Sequence, residues 1–451
     1  MFRGFPPLAA LFCLHLAAGS VWSADSTPRE QAAFLAGLPL PKRSVLAPLQ
    51  RSDNYRAHQR DLQEEWDFCR RARFEAMRQW IRDHLPHDGS SRGVVRYLFG
   101  GPDFLNVCAF FPEARITVLG GLEPVGEVPP PEVLDQAALG TALQSLRKAL
   151  HTSLFCGYFI TSEMKPQLAQ GAFRGVLPVL YTELALTGHT IRSVSPIAPF
   201  GTTGVQIEYS RAGGPVQTLY YFQADLSNGK ECSRFLGWLG DLGPGASYLK
   251  AASYLLPRDA FSQTRTFLLK TSTLILQDDS GIPFRDFQPT EWTVLLFGTY
   301  NEPLEIFRRH REPELVEAYA SQSYAGPLPF GAGYHVRPEN ANLLLAVRTT
   351  EAAITGRAPA PRPSPVRIRK ALPVEIRKAL PVDTPHPKHP PQDRPTPTPP
   401  PTPTPEPDSR RIVPLPEYPA GDLPLPIPDA EQDVVPAEPT PSPTVPPEEE
   451  G

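Results

Sequence analysis

VVRYLFGGPDFLNVCAFFPEARITVLGGLEPVG, residues Val94 to Gly126, is the stretch that decides the fold. Val94–Phe99 is a mostly apolar run, which is typical of a strand buried on both faces of a sheet. A Gly-Gly-Pro-Asp turn follows, in which Asp103 can cap a helix from Phe104 to Phe111. A second strand is expected over Ile116–Leu119. We therefore predict an opening βαβ unit of the Rossmann type in an α/β fold.

The chain beyond this unit alternates between helical and strand patterns. Leucines recur at helical spacing from Leu139 to Leu154, and a second helix is expected from Leu177 to Thr187. Apolar and polar residues then alternate from Val205 to Phe222 around Gly213-Gly214, which predicts an antiparallel hairpin. Later strands are expected at Thr273–Leu276, Trp292–Phe297 and Leu343–Val347. We predict one mixed α/β domain over residues 57–357, with parallel strands first and antiparallel strands in its second half.

A long helix is predicted from Asp61 to Leu85, ahead of the opening unit. Its apolar residues recur every three or four positions and form one stripe: Leu62, Trp66, Cys69, Met77, Trp80, Ile81 and Leu85. Five arginines fill other positions: Arg70, Arg71, Arg73, Arg78 and Arg82. We interpret these arginines as a solvated face, with binding to an anionic surface as the alternative.

The N-terminus has the features of an export signal. Arg3 precedes an apolar run from Pro7 to Ala18, which is too short to span a bilayer. Residues 1–23 are therefore predicted to be a signal peptide cleaved after Ser23, and retention as a membrane anchor is the alternative. The mature protein would be secreted or periplasmic, beginning with a polar leader over residues 24–56.

The C-terminus has a composition that cannot bury a core. About half of the chain's 57 prolines lie in residues 358–451, which we predict to be a disordered tail. The tail repeats IRKALPV at Ile368–Val374 and Ile376–Val382, and Pro395–Pro407 favours an extended polyproline II conformation. Its partner would be a cell-envelope polymer that it threads or a proline-binding module, and a tail without a specific partner is the alternative.

Charge and hydropathy exclude two classes of partner. The formal net charge of −4 over 451 residues gives no general attraction to polyanions. No basic patch interleaved with aromatic residues is present, so we predict no nucleic-acid partner. No other stretch approaches ~18 continuous apolar residues, so no transmembrane segment is expected after signal cleavage.

Four cysteines remain after removal of the signal: Cys69, Cys108, Cys156 and Cys232. An exported protein can form disulfides, and four cysteines permit three pairings among which the sequence does not choose. Buried thiols are the alternative. None of the cysteines has C-x-x-C spacing, so we predict no metal site.

Asp278 and Asp279 are the candidate catalytic residues, at the end of a predicted strand. Paired carboxylates can divide acid and base roles when their environments separate their pKa values. Asp-Asp-Ser-Gly is also ordinary turn chemistry, because Asp, Ser and Gly favour turns. His189 and His335 are isolated histidines, for which a structural role or a role as a lone general base is open.

Gly100, Gly101, Asp103 and Glu123 are the candidate ligand-binding residues. A glycine turn after the first strand lets a backbone approach a ligand, and an acid after the second strand can accept hydrogen bonds from ribose hydroxyls. This layout resembles class I methyltransferases, which implies S-adenosylmethionine as a cofactor. The turn departs from G-x-G-x-x-G, an antiparallel hairpin interrupts the expected βα units, and an exported protein would not ordinarily meet that cofactor. We therefore predict no cofactor.

Three motifs resemble an uncharacterised family of exported bacterial proteins: FGGPDF at Phe99–Phe104, GLEPVG at Gly121–Gly126 and ILQDDSGIP at Ile275–Pro283. The resemblance spans Tyr55 to Arg348 and excludes the tail. It implies a single domain in a bacterial envelope setting and transfers no activity.

Together these features predict an envelope-associated exported protein. We interpret it as a ligand-binding or structural module rather than an enzyme. A hydrolase or transferase using Asp278, Asp279 and Glu123 is the first alternative. A methyltransferase-like cofactor-binding protein is the second.

Overall fold

A computed structural model describes residues 25–86, 92–159, 161–169, 171–321 and 326–349. The predicted signal at residues 1–23 and the predicted tail at 358–451 lie outside the described residues. Within them the predicted α/β class is confirmed: helices surround one mixed sheet of nine strands. No helix in these ranges is both long enough and apolar enough to cross a membrane.

The described helices are α1 Pro28–Leu35, α2 Asp53–Cys69, α3 Glu75–His84, α4 Phe104–Phe110, α5 Gln136–Cys156, α6 Thr161–Ala169, α7 Leu177–Leu186, α8 Lys230–Asp241, α9 Ser262–Thr271 and α10 Pro313–Ser321. The strands are β1 Val94–Tyr97, β2 Ile116–Gly121, β3 His189–Ile197, β4 Gly204–Arg211, β5 Gln217–Gln223, β6 Gly245–Leu249, β7 Ser272–Gln277, β8 Trp292–Gly298 and β9 Asn342–Arg348.

The sheet has the strand order β3-β4-β5-β2-β1-β6-β7-β9-β8. Its five central strands, β5, β2, β1, β6 and β7, are all parallel. Antiparallel strands extend both edges, β4 and β3 beside β5 and β9 and β8 beside β7. Parallel pairing therefore continues further along the chain than the sequence indicates. The second strand of the predicted hairpin, β5, lies parallel to β2, and β6 and β7 are parallel as well. The central order corresponds to the 3-2-1-4-5 order of the Rossmann fold, and the order reverses between β1 and β6. That reversal is the topological switch point.

Each face of the sheet is covered by its own apolar core. Helices α1 to α7 pack on one face, where Val95 and Tyr97 of β1 join their cluster. Helices α8, α9 and α10 pack on the other face, against Val118 of β2 and Ile275 of β7. The central strands are therefore buried on both sides, which explains the nearly continuous apolar character of the opening stretch.

The N-terminal part of the described chain is more ordered than a polar leader requires. Thr27 caps α1 through a capping box with Glu30, and Phe34 and Leu35 are fully buried in the core. The predicted helix at 61–85 begins earlier, at Asp53, and is interrupted by a π-helical turn over Arg70–Phe74.

The π turn changes the interpretation of the arginine face. A π turn makes i→i+5 hydrogen bonds, so it holds more residues than an α turn and shifts the helical phase after it. Arg73, predicted on the solvated face, is only 9% exposed. The prediction was wrong for this one arginine, whereas Arg71 and Arg78 are exposed.

Candidate functional site

The six predicted site residues lie at one edge of the sheet. Gly100, Gly101 and Asp103 follow β1, Glu123 follows β2, and Asp278-Asp279 follow β7. The carboxyl ends of parallel strands share an edge, and in open α/β sheets ligands bind there at the switch point. Asp103, the Asp278-Asp279 pair and Glu123 nevertheless contact different sets of side chains.

Asp103 forms a buried ion pair at the switch point itself. Its Oδ2 lies 2.5 Å from Nζ of Lys250, the residue after β6, and both side chains are almost fully buried. Asp103 also accepts a hydrogen bond from the Asn106 backbone N–H at 3.2 Å, which is the predicted cap of α4. Tyr97 donates its hydroxyl to the same carboxylate at 3.0 Å. Burial lowers the pKa of Lys250, and the Asp103 carboxylate offsets part of that effect.

Arg73 lies in the π turn between α2 and α3, on the face of the sheet that α4 and α5 also cover. Its Nη2 donates to the carbonyl oxygens of Leu154 at 3.3 Å and Phe155 at 2.8 Å, at the C-terminus of α5. This helix end carries partial negative charge, which favours a cation. Nη1 of Arg73 is buried and has no hydrogen-bond partner among the described residues.

Gly157 brings the two cations to one place. It follows α5 with φ of +86°, a left-handed conformation that glycine adopts readily. Lys250 Nζ and the Asn106 amide both donate to its carbonyl oxygen. A Cβ at Gly157 would collide with the Arg73 guanidinium, so only glycine fits this position. Asp103, Lys250, Arg73 and Asn106 are called the switch-point cluster below.

A small cavity opens beside the switch-point cluster. Its lining includes Arg73, Asn106, Cys156, Gly157, Lys250 and the Gly331–Gly333 backbone. The space between atoms is about 240 Å³, including its opening to solvent, and the enclosed part holds about one water-sized particle. The cavity therefore presents two buried cationic side chains to a very small occupant.

Asp278 and Asp279, with Ser280, form a separate group called the acidic turn below. Asp278 accepts hydrogen bonds from the Ala251 N–H at 2.8 Å and from the N–H and hydroxyl of Ser280 at 2.9 and 2.6 Å. Burial and the neighbouring Asp279 charge raise the pKa of Asp278 to about 6. Both oxygens of Asp278 thus already have donors from the protein itself.

Asp279 is held by side chains from three other segments. Asn342 donates to its Oδ1 at 3.0 Å, Tyr254 donates its hydroxyl to Oδ2, and His335 Nε2 lies 3.7 Å from Oδ1. Burial lowers the pKa of His335, but the nearby carboxylates of Asp279 and Asp278 outweigh it, so that pKa is raised overall. His335 is therefore tied to the acidic turn, while His189 lies elsewhere, against Thr187 and Arg211.

The acidic turn anchors a strained loop. Ala251, Ser253 and Tyr254 have φ values of +51°, +52° and +53°, a region that costs non-glycine residues of order 1–3 kcal/mol each. Asp278 and Ser280 bind the N–H groups of Ala251 and Ala252, at 2.8 and 2.7 Å. Several hydrogen bonds therefore compensate for the backbone conformation that places Lys250 beside Asp103.

A second small cavity lies on the far side of the acidic turn. Its polar lining includes Gln277, Asp278, Asp279, Glu312 and Asn342. Burial raises the pKa of Glu312 to about 7, although its Oε2 accepts the Phe284 N–H at 2.8 Å. Across the described ranges, no group of three or more His, Cys, Asp or Glu residues is arranged to hold a metal ion.

Glu123 is the predicted ribose acceptor, and it is engaged inside the protein. It is buried, the Tyr221 hydroxyl donates to its carbonyl oxygen at 2.8 Å, and that hydroxyl lies 3.5 Å from its Oε2. A Cβ built on Gly101 would lie 3.5 Å from the same carboxylate oxygen. A ligand at the glycine turn would therefore require Glu123 to move. Glu123 does not line either cavity beside the switch-point cluster or the acidic turn.

The four cysteines form no disulfide in the part of the chain that the structure describes. Cys69, Cys108 and Cys232 are buried, whereas Cys156 is partly exposed at the cavity beside the switch-point cluster.

Sequence reasoning missed Lys250 and placed Arg73 on the surface. A signal for Lys250 was present, because it is the single charge in the apolar run Ala246–Leu256. A lone lysine in such a run must be paired if the run is buried. For Arg73 no local signal exists, because the π turn that moves it inward leaves no recognisable pattern in the sequence.

Comparisons with known proteins provide no relative from which a role could be transferred: no family model, curated protein or solved structure matches the chain.

Proposed function

We propose that this protein is an exported, non-enzymatic module that binds a small polar ligand at the switch point between β1 and β6. The proposal combines the export signal and proline-rich tail predicted from the sequence with the cavity at the switch-point cluster. The tail would hold the binding domain at a distance from the cell envelope.

One observation carries the proposal: Arg73 is a buried cation with an unpartnered Nη1 beside a cavity at the fold's expected ligand position. A buried donor without a partner costs about 1–3 kcal/mol, and more when charged. A ligand that accepts from Nη1 would recover that free energy. In contrast, the oxygens of the acidic turn already accept from protein donors, which fits a structural role.

Cys156 provides a reporter for occupancy. The mature full-length protein is incubated with sodium acetate, glycine, glucose or S-adenosylmethionine, and alkylation of each cysteine by iodoacetamide is followed by peptide mass spectrometry. We expect at least one compound to slow alkylation of Cys156, because Cys156 lines the cavity.

Cys232 is the matched control, because it is buried on the opposite face of the sheet. Slower labelling of Cys156 at an unchanged rate for Cys232 supports a local site. Equal Cys156 rates with every compound contradict the proposal.

The 3-2-1-4-5 order of the central strands favours a second candidate, a nucleotide-type ligand at Gly100, Gly101 and Glu123. This candidate requires Glu123 to leave Tyr221 and Gly101. With a thermal melt added to the labelling assay, this candidate predicts that S-adenosylmethionine raises the melting temperature without protecting Cys156, because neither Gly100 nor Gly101 lines the cavity at Cys156.

A further inference from the structure

The cavity beside the switch-point cluster has donors without acceptors. A lysine ammonium has three N–H donors, and Lys250 uses two of them, on Asp103 and on the Gly157 carbonyl. Arg73 retains a buried Nη1 without a partner. The Asn106 amide is fully used, since its nitrogen donates to Asp103 and to Gly157. The open hydrogen-bonding capacity at this point is therefore cationic and donating.

The charges around the cavity leave Arg73 without a counter-ion. Asp103 forms its ion pair with Lys250. Asp278, which lies next to Gly333, accepts hydrogen bonds from Ala251 and Ser280. No carboxylate lies within 4.0 Å of the Arg73 guanidinium among the described residues. The α5 carbonyls offset part of its charge, but a buried cation without a full partner costs several kcal/mol.

Arg96 offers an internal comparison. It is more deeply buried than Arg73, caps the end of α8 through the carbonyls of Leu239 and Gly243, and has two unpartnered nitrogens. Its guanidinium, however, lies 5.5 Å from the centre of the Phe267 ring, which can interact favourably with a cation. Arg96 lines neither of the two cavities, whereas Arg73 faces one together with a second cation.

We infer that the switch-point cavity binds a small monovalent anion, a halide ion or the carboxylate group of a larger molecule, between Nη1 of Arg73 and Nζ of Lys250. This inference rests on the proposed function, since it names the chemistry of the ligand at that site. The limited volume selects for one small acceptor group, and the two cations select for negative charge.

Binding is tested with the mature full-length protein and with sodium chloride, sodium formate or the neutral compound formamide. The ionic strength is held constant with sodium methanesulfonate, whose anion is too bulky for the cavity. A ligand that binds only the folded state raises the melting temperature with concentration. We expect an increase with chloride or formate and none with formamide.

Arg73→Met removes one of the two donors and should weaken anion binding by about tenfold or more. Arg71→Met is the matched control, because Arg71 is exposed in the same π turn. Loss of the anion effect in Arg73→Met and its retention in Arg71→Met support the inference. An equal effect in both variants overturns it. Should Arg73→Met fail to fold, bromide soaked into crystals of the wild-type protein decides the question by its anomalous signal.

Each outcome has a defined meaning. A bromide peak between Arg73 and Lys250 supports the inference, and bromide at surface positions only overturns it. Stabilisation by chloride alone identifies a halide, and stabilisation by formate identifies a carboxylate group. Protection of Cys156 by glucose, without stabilisation by either anion, overturns the anion inference and leaves the proposed function standing.

Discussion

The switch-point cluster and the acidic turn lie at the same edge of one sheet and differ in how their charges are satisfied. In the acidic turn, Asp278 and Asp279 are surrounded by hydrogen-bond donors from the chain itself. In the switch-point cluster, Lys250 is paired but Arg73 retains a buried nitrogen without a partner. Satisfied charges stabilise the fold, whereas an unsatisfied one indicates where an external group can bind. The paired carboxylates that dominate the sequence pattern are therefore the weaker candidates for a site.

The largest effect is expected from a variant that breaks the ion pair of the switch-point cluster. Lys250→Met leaves Asp103 buried without its cation, which should lower the free energy of unfolding by about 3–5 kcal/mol. The double variant Asp103→Asn/Lys250→Met removes both charges and keeps an oxygen to cap α4, so its loss should be clearly smaller. Urea denaturation measures both. A double variant as unstable as Lys250→Met would mean that the pair does not act as a unit.

An effect of intermediate size is expected for Glu312, which lines the cavity beside the acidic turn. The pKa of Glu312 is about 7 in the folded protein and near 4.5 when unfolded, so the folded state holds its proton more tightly. This contribution is fully present below pH 4.5 and is lost as the pH rises through about 7. Because the side chain is not completely buried, we expect a contribution of about 2–3 kcal/mol.

Glu312→Gln should therefore flatten the fall in unfolding free energy between pH 4.5 and pH 8, measured by urea denaturation at each pH. Exposed Glu317, whose charge is not among the causes of the Glu312 shift, supplies the control variant Glu317→Gln, which should follow the wild-type curve. Parallel curves for the wild type and Glu312→Gln would contradict the assignment.

The smallest expected effect concerns the strained loop that connects the two groups. Ala251→Gly relieves the left-handed conformation at φ of +51° and should stabilise the protein by at most about 1 kcal/mol. Ala252→Gly is the matched control: Ala252 is buried without positive φ, so the same change should destabilise. Thermal melting of both variants compares them directly, and a clear loss in Ala251→Gly would contradict the strain.

Local patterns predicted most of the sheet correctly. The alternation and the apolar runs marked β1, β2, the β4–β5 hairpin and β7 to β9, because these patterns depend on neighbours in the chain. The cap of α4 by Asp103 was likewise visible, since it acts over three residues. The α/β class followed from these elements.

The candidate site could not be predicted in the same way. Lys250 and Asp103 are 147 residues apart, and no spacing rule connects them. The return of β5 to the parallel sheet depends on pairing with β2, which the hairpin pattern does not reveal. Glycines and carboxylates can be recognised in a sequence, but only the folded structure shows which buried charges lack a hydrogen-bond partner.

The separation of these partners also has a consequence for the order of folding. Asp103 meets Lys250 only after a loop of 147 residues has closed, and Lys250 reaches Gly157 over 93 residues. Contacts of such long sequence separation form slowly, because the chain loses entropy before they are made. We expect the switch-point cluster to be among the last features completed. Ligand binding would then report that folding of the sheet is finished, and refolding followed by Cys156 labelling would time that final step.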